Sequence, residues 1–318
     1  MAAASVPAVR PPAARPEEAR VVPRTLAVIP PPPVGGFELG PLDVRLYGVL
    51  IALGAYLALT WTVRRYAAAG GDATLAERAG IAALLGGFLG ARIGYVLPRL
   101  DDFLDRPQDI LAIWQGGLTF FGGLTGGTLA VLVVVSRGGG DIARFADAIA
   151  PALPLAQAIG RWGNFFNQEL YGRPTDLPWA LAVEAPYRRR DFADAETFHP
   201  TFLYESLWNT ALVLALLRLE RRGRLPRGGL MLAYLIGYGI GRAWIETLRI
   251  DTVERYAGLS RNNWIALAVA LAGLAALQRL RARDGSGPAT DHRDDAATEA
   301  AADDGATDDP TTGDTGPA

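Results

Sequence analysis

Between residues 41 and 283 the chain alternates long apolar stretches with short polar ones. The apolar stretches fall at about 46–63, 79–97, 117–136, 145–160, 202–217, 229–246 and 262–278. Three of them, 46–63, 117–136 and 262–278, contain no charged residue, over a length close to the ~17–25 residues that cross a hydrocarbon layer as a helix. A helix on a water-soluble core would show a polar stripe at a period of about 3.6, and these do not. The pattern predicts an all-α polytopic membrane protein with about seven transmembrane helices and a long outer-face loop at about 160–201. The stretch at 145–160 is the weakest, being short and containing Asp147, Pro151 and Pro154.

Composition separates the ends from this body. Residues 1–40 are rich in Pro and Ala, with Pro30 to Pro33 in a row, and hold no apolar run long enough for a signal-peptide core. Residues 284–318 carry ten acidic residues against Arg293, a balance of −9 within a chain of net charge −2, which leaves +7 on the rest. Neither end has the apolar residues to bury a core. The expected layout is a disordered Pro/Ala-rich arm at 1–40, a seven-helix transmembrane catalytic domain at 41–283 and an acidic disordered tail at 284–318. Cytoplasmic loops of membrane proteins retain Arg and Lys. The segment 218–228 has five Arg and one acid, whereas 98–113 has two Arg and four Asp, so the N-terminus is expected outside and the C-terminus in the cytoplasm.

The chain has no Cys and only two His, and its basic residues are all Arg. Cys-ligated metals, a thiol nucleophile of its own and lysine Schiff-base chemistry are thereby excluded. No resident metal or cofactor and no nucleic-acid partner are expected.

An ionisable group inside a spanning helix costs at least ~2.5–3.5 kcal/mol on insertion scales, so Arg92, Asp147, Glu205, Arg242 and Glu246 each require a reason. Two remain open: ion pairs that lock helices together, or a polar cavity. Arg242 and Glu246 are four apart and can pair on one helix face, which Tyr238 extends at −4 and Arg249 at +7. The densest polar segment runs Gly160-Arg161-Trp162-Gly163-Asn164-Phe165-Phe166-Asn167-Gln168-Glu169-Leu170-Tyr171-Gly172-Arg173. Its Arg fork and neighbouring amides suit an anion; a helix end with its connecting loop would have a similar composition.

That segment resembles the signature of the prolipoprotein diacylglyceryl transferase family, G-R-x-G-N-F-x-N-x-E-x-x-G-R. Further matches stand in order: Tyr47-Gly48, Gly90-Ala91-Arg92-Ile93-Gly94-Tyr95, Gly116-Gly117-Leu118-Thr119-Phe120 with Gly122-Gly123, and Asp147-Ala148-Ile149-Ala150-Pro151. His199-Pro200-Thr201, Leu203-Tyr204-Glu205 and Tyr238-Gly239 with Arg242 and Glu246 complete the set. The similarity covers roughly residues 41–280.

The resemblance implies a seven-span enzyme of the bacterial cytoplasmic membrane. It would take a diacylglyceryl group from phosphatidylglycerol and place it on the lipobox cysteine thiol of prolipoproteins, forming a thioether and releasing glycerol phosphate. By the same resemblance, Arg161, Arg242, Glu246, Tyr47 and Tyr238 are catalytic. Arg161, Asn164, Asn167, Glu169, Gly172, Arg92 and Arg242 bind phosphatidylglycerol, with His199, Tyr204, Glu205 and Asp147 in support. One position departs from the pattern. Phe121 stands where the family often has His, a candidate general base, and Thr119 replaces the usual Ser.

Two other readings fit part of the pattern. A transporter or channel would also use Gly-rich helices and buried charges, but the Gly160–Arg173 segment occurs once, against an inverted repeat. A degenerate, inactive member of the family would fit the loss of the His. Alcohol phosphotransferases and lipid phosphatases lack support, since the D-x-x-D-G-x-x-A-R pattern and Lys are both absent.

Overall fold

The computed structural model describes residues 28–40, 42–113, 116–251 and 255–285. Along the chain come β1 (Gly36–Leu39), β2 (Leu42–Arg45), α1 (Leu46–Ala68), α2 (Ala73–Val96), the single turn α3 (Leu100–Phe103), α4 (Phe120–Arg137), α5 (Ile142–Ile149) and α6 (Ala152–Phe166). After the long loop, which holds β3 (Leu181–Ala182) and β4 (Thr197–Phe198), follow α7 (Thr201–Arg221), α8 (Gly229–Glu246), β5 (Arg255–Tyr256), β6 (Leu259–Ser260) and α9 (Arg261–Gly285). The expected membrane class is present. Six helical segments are long and apolar enough to span: Leu46–Ala68, Ala73–Phe103, Phe120–Arg137, Ile142–Phe166, Thr201–Arg221 and Arg261–Asp284. The seventh expected span also forms a helix, α8, but Arg242 and Glu246 lie in its last two turns and it is not among the six.

Local chemistry sets the boundaries. Asp72 caps α2 by accepting from the Thr74 N–H at 2.9 Å, and Asp141 caps α5 by accepting from the Arg144 N–H at 3.0 Å, each satisfying a donor the first turn leaves open. The chain divides α5 from α6 at Ala150–Pro151, where proline removes a backbone donor and clashes with the preceding turn. This is the stretch whose two prolines made the fourth span weak in the sequence.

The described residues form two compact units. One comprises Ala58–Pro154, Ala211–Ile240 and the described residues from Ile265. Its dominant contact is α2 against α4 through glycine. A Cβ on Gly126 would lie 2.2 Å from the Gly86 carbonyl oxygen, one on Gly90 2.4 Å from that of Gly122, and one on Gly122 2.3 Å from that of Gly90. Gly86, Gly90 and Gly94 recur every four residues on one face of α2, as Gly122 and Gly126 do on α4. In a bilayer, where lipid tails are as apolar as leucine, such small-residue stripes let two backbones approach and gain dispersion contact. The glycines around Arg92 and after Phe121 therefore build this seam. Elsewhere in the unit Tyr66, Ala76, Ala79, Val135, Phe145 and Ala148 pack as a buried cluster. The apolar window of α4 is only 6% buried within the chain, so its outer face is left for lipid.

The other unit holds the described residues up to Leu57 together with Leu155–Thr210 and Gly241–Trp264. Its loop core is Tyr171, Leu181, Val183, Phe198 and Phe202, with Ile29 packed on it. Ile29 pairs alongside Leu181: its N–H donates to the Ala180 carbonyl at 2.8 Å and its carbonyl accepts from Ala182 at 2.9 Å. β1 then pairs antiparallel with β2. The arm expected to be disordered up to residue 40 is thus structured from Ile29 onward, because an isolated apolar residue, Ile29, completes a loop core that composition alone does not reveal. Residues 1–27 and the tail beyond Gly285 lie outside the described residues.

Candidate active site

Helix ends of the second-described unit carry the site. α6 brings Arg161 and Asn164 on its last turns, α7 brings Glu205 on its second turn, and α8 brings Arg242 and Glu246 on its last two; Arg249 follows three residues on. Glu205 lies at the centre. Its Oε2 is 2.8 Å from Arg161 Nε, and its Oε1 is 3.6 Å from Arg242 Nη1 and 3.5 Å from Arg249 Nη1. Glu246 holds Arg242 at 2.5 Å in the i,i+4 pair and accepts from Ser260 Oγ and Asn262 Nδ2, both at 3.0 Å. Arg242 Nη1 is buried and makes no hydrogen bond, with Glu205 Oε1 at 3.6 Å.

Exposure divides the cluster. Side-chain exposure is 22% for Arg161 and 15% for Arg242, against 6% for Glu205 and none for Glu246. The two arginines of the signature and of α8 therefore keep partial access to solvent, while the carboxylates are shielded from it. A planar guanidinium with one edge engaged by carboxylate still offers donors from the other edge, which suits a phosphate oxygen.

The signature loop extends the network. Arg161 Nη1 donates to Asn164 Oδ1 at 3.3 Å, and Glu169 accepts from Asn164 Nδ2 at 2.8 Å and Asn167 Nδ2 at 3.2 Å. Gln168 and Leu170 have φ of 50° and 57°, backbone values that L side chains rarely adopt. Gly172 donates its N–H to the His199 carbonyl at 2.9 Å; a Cβ there would lie 2.8 Å from the His199 Cβ and 3.0 Å from the Leu248 carbonyl. Gly163 lies under Tyr47, where a Cβ would be 2.7 Å from the ring. The role of both glycines is close approach. An open pocket of about 340 Å³ beside the loop is lined by Asn167, Glu169, Tyr171, Arg189 and Asp251, among others.

His199 and Tyr204 serve the loop. Tyr204 accepts from Trp179 Nε1 at 2.9 Å, lies 3.2 Å from His199 Nδ1 and stacks on Trp244. Burial, helped by the Arg173 charge, lowers the His199 pKa below the ordinary 6.5. Arg249 is held charged above its ordinary range: burial opposes the charge, and the Asp251 hydrogen bond with the Asp251, Glu205 and Glu246 charges outweighs it.

Arg161, Asn164, Asn167, Glu169, Gly172, His199, Tyr204, Glu205, Arg242, Glu246 and Tyr47 thus fall in one unit. Three expected site residues fall in the other. Arg92, expected at the lipid headgroup, gives its guanidinium to the carbonyl oxygens of Asp109, Ile110, Gly116 and Gly117 at 2.6–3.0 Å, so it ties a loop to α2. Asp147, expected in support, accepts from the backbone N–H groups of Gly228, Leu230 and Met231 at 2.7–3.1 Å and caps α8. Tyr238 stacks on Tyr234. Phe121 is about half exposed against Phe120, and Thr119 binds the Ala91 carbonyl. Asp251, Ser260 and Asn262 complete the charge network without having been expected there, and Arg249, expected on the face of Arg242 and Glu246, joins it. The spacing of Arg249 from Arg242 was the one available signal.

The profile of the family described as "Prolipoprotein diacylglyceryl transferase" matches residues 35–279. Among curated relatives, phosphatidylglycerol--prolipoprotein diacylglyceryl transferase of Frankia alni is 45% identical over 258 residues, covering 80% of this chain and 68% of its own length. The protein of the same name from Streptomyces griseus is 40% identical, covering 77% and 75%. That from Synechococcus elongatus is 43% identical, covering 68% and 76%.

Proposed function

Because this chain belongs to the prolipoprotein diacylglyceryl transferase family, we propose that it transfers the diacylglyceryl group of phosphatidylglycerol to the lipobox cysteine of prolipoproteins. The observation that supports the reading most is the pairing of two partly open arginines, Arg161 and Arg242, on one buried carboxylate, Glu205. The cysteine sulfur attacks the glyceryl carbon next to the phosphate. A carbon–sulfur bond forms, the carbon–oxygen bond breaks, the thiol proton leaves and glycerol phosphate departs with one more negative charge than the diester phosphate carried. Donors fixed in a site of low dielectric act most strongly where charge develops, and on this reading Arg161 and Arg242 supply them. Asn164 and Glu169 hold Arg161 and the loop; Glu246 holds Arg242. Tyr47 stands over Gly163.

With Phe121 in the place of the family's His, the proton acceptor has no imidazole at that position. A cysteine thiol has a pKa near 8.5, and guanidinium groups nearby lower it; the arginines supply that field. The enzyme is an integral membrane protein. We place its N-terminus outside and its C-terminus in the cytoplasm, since Arg218 and Arg221 in the last turn of α7 and Arg222, Arg224 and Arg227 after it crowd one side of the α7–α8 pair. The test is to incubate the purified full chain with phosphatidylglycerol vesicles and a lipobox peptide and to weigh the peptide. A mass gain of one diacylglyceryl group at cysteine is expected. An unmodified peptide, with activity restored by Phe121→His, would identify a degenerate member of the family instead.

A further inference from the structure

Glu205 differs from the other carboxylates of the site. Glu246 accepts from Ser260 and Asn262 as well as facing arginine, and Glu169 accepts from two amides. The described partners of Glu205 are all guanidiniums, from three separate segments: Arg161 on α6, Arg242 on α8 and Arg249 beyond it. It is almost fully buried, and it is shared by the two arginines of the cluster that keep partial exposure. Any anion that enters must therefore share Arg161 and Arg242 with an anion already present.

The transfer itself makes that competition matter. Phosphatidylglycerol carries one negative charge on its phosphodiester, whereas the released monoester approaches two near neutral pH, its second pKa being about 6. A site of arginines alone would hold its product more tightly than its substrate. We propose that Glu205 is a built-in counter-charge that competes with phosphate for Arg161 and Arg242 and thereby lets the dianionic product leave. The proposal rests on the transferase reading. It makes Glu205 a positioning residue, acting through the arginines and not on the reacting atoms. Asp251 binds Arg249 at 2.8 Å and Glu246 binds Arg242, so each of those carboxylates balances a neighbour, and the charge facing both open arginines is that of Glu205.

The experiment measures initial rates with the full chain, phosphatidylglycerol vesicles and a lipobox peptide, with added glycerol phosphate as inhibitor. Removing a charge a few ångströms from two guanidiniums should tighten anion binding, so Glu205→Gln is expected to lower the inhibition constant for glycerol phosphate about tenfold or more. The KM for phosphatidylglycerol should fall less and kcat should fall as well, a combination that loss of shape would not give. Glu205→Asp keeps the charge and should keep the inhibition constant within about threefold of wild type. Should the Gln variant not fold, Arg249→Gln reads the same balance with opposite sign: Glu205 then bears more fully on Arg161 and Arg242, and inhibition should weaken. An inhibition constant unchanged or raised in Glu205→Gln, or unchanged or lowered in Arg249→Gln, overturns the proposal. Absence of transfer by the wild-type chain would overturn the transferase reading instead.

Discussion

Arg161 engages two partners from two different atoms, Nε toward Glu205 and Nη1 toward Asn164. An ammonium is a point charge and cannot serve both at once while still facing a phosphate. Arg161→Lys is therefore expected to lower transfer to the lipobox peptide by about 10²-fold or more, with the melting temperature little changed; activity near wild type would show that charge alone suffices. At His199 the sign of the pH effect follows from burial. Its folded pKa lies below 6.5, so the unfolded chain takes up the proton first. The stability this contributes is whole above about pH 6.5 and is lost as pH falls through the lower folded value. Melting temperatures measured from pH 7.5 to 5 should decline, and His199→Gln should flatten the decline. Glu205, Arg242 and Glu246 were legible in the sequence because charge among apolar residues demands a partner, and Arg161 because it lies in the densest polar segment. Asp251, Ser260 and Asn262 were not, because polar residues after a helix end demand nothing, and Arg249 was legible only through its spacing from Arg242. Arg92 and Asp147 were legible as buried charges, but their partners are backbone groups, which leave no mark in a sequence.

The seam between α2 and α4 is the element whose loss would be felt most directly. With a Cβ only 2.2 Å from the Gly86 carbonyl, Gly126→Ala forces the backbones apart, and overpacking of this kind costs about 1–3 kcal/mol. A lower melting temperature in detergent is the expected result; an unchanged one would mean that the seam yields freely. The apolar stretches made the spans legible, since length and absence of charge are direct requirements of a bilayer. The seam was hidden by its own motif. Glycines beside Arg92 and Phe121 read equally as site and as packing, and only the distance between backbones separates the two.

At the scale of the whole molecule, the prediction concerns the ends. Deleting residues 286–318 should leave transfer unaltered, because the charge network lies within residues 161–262. A chain shortened to begin at residue 36 should lose stability in the long loop, because Ile29 pairs with Leu181; limited proteolysis of the 167–200 region would report it, and an equally resistant loop would refute it. One helix shows how the assembly depends on order of synthesis. α8 carries an Arg and a Glu that each disfavour entry into hydrocarbon. Yet the carboxylate that receives its first N–H groups, Asp147, and the one that faces its arginine, Glu205, both precede it in the chain. By the time α8 leaves the ribosome these two carboxylates are already made, whereas Ser260 and Asn262, which bind its Glu246, are still to come; the order of synthesis thus offers its first turn and its arginine partners on earlier helices and leaves its glutamate to be satisfied last.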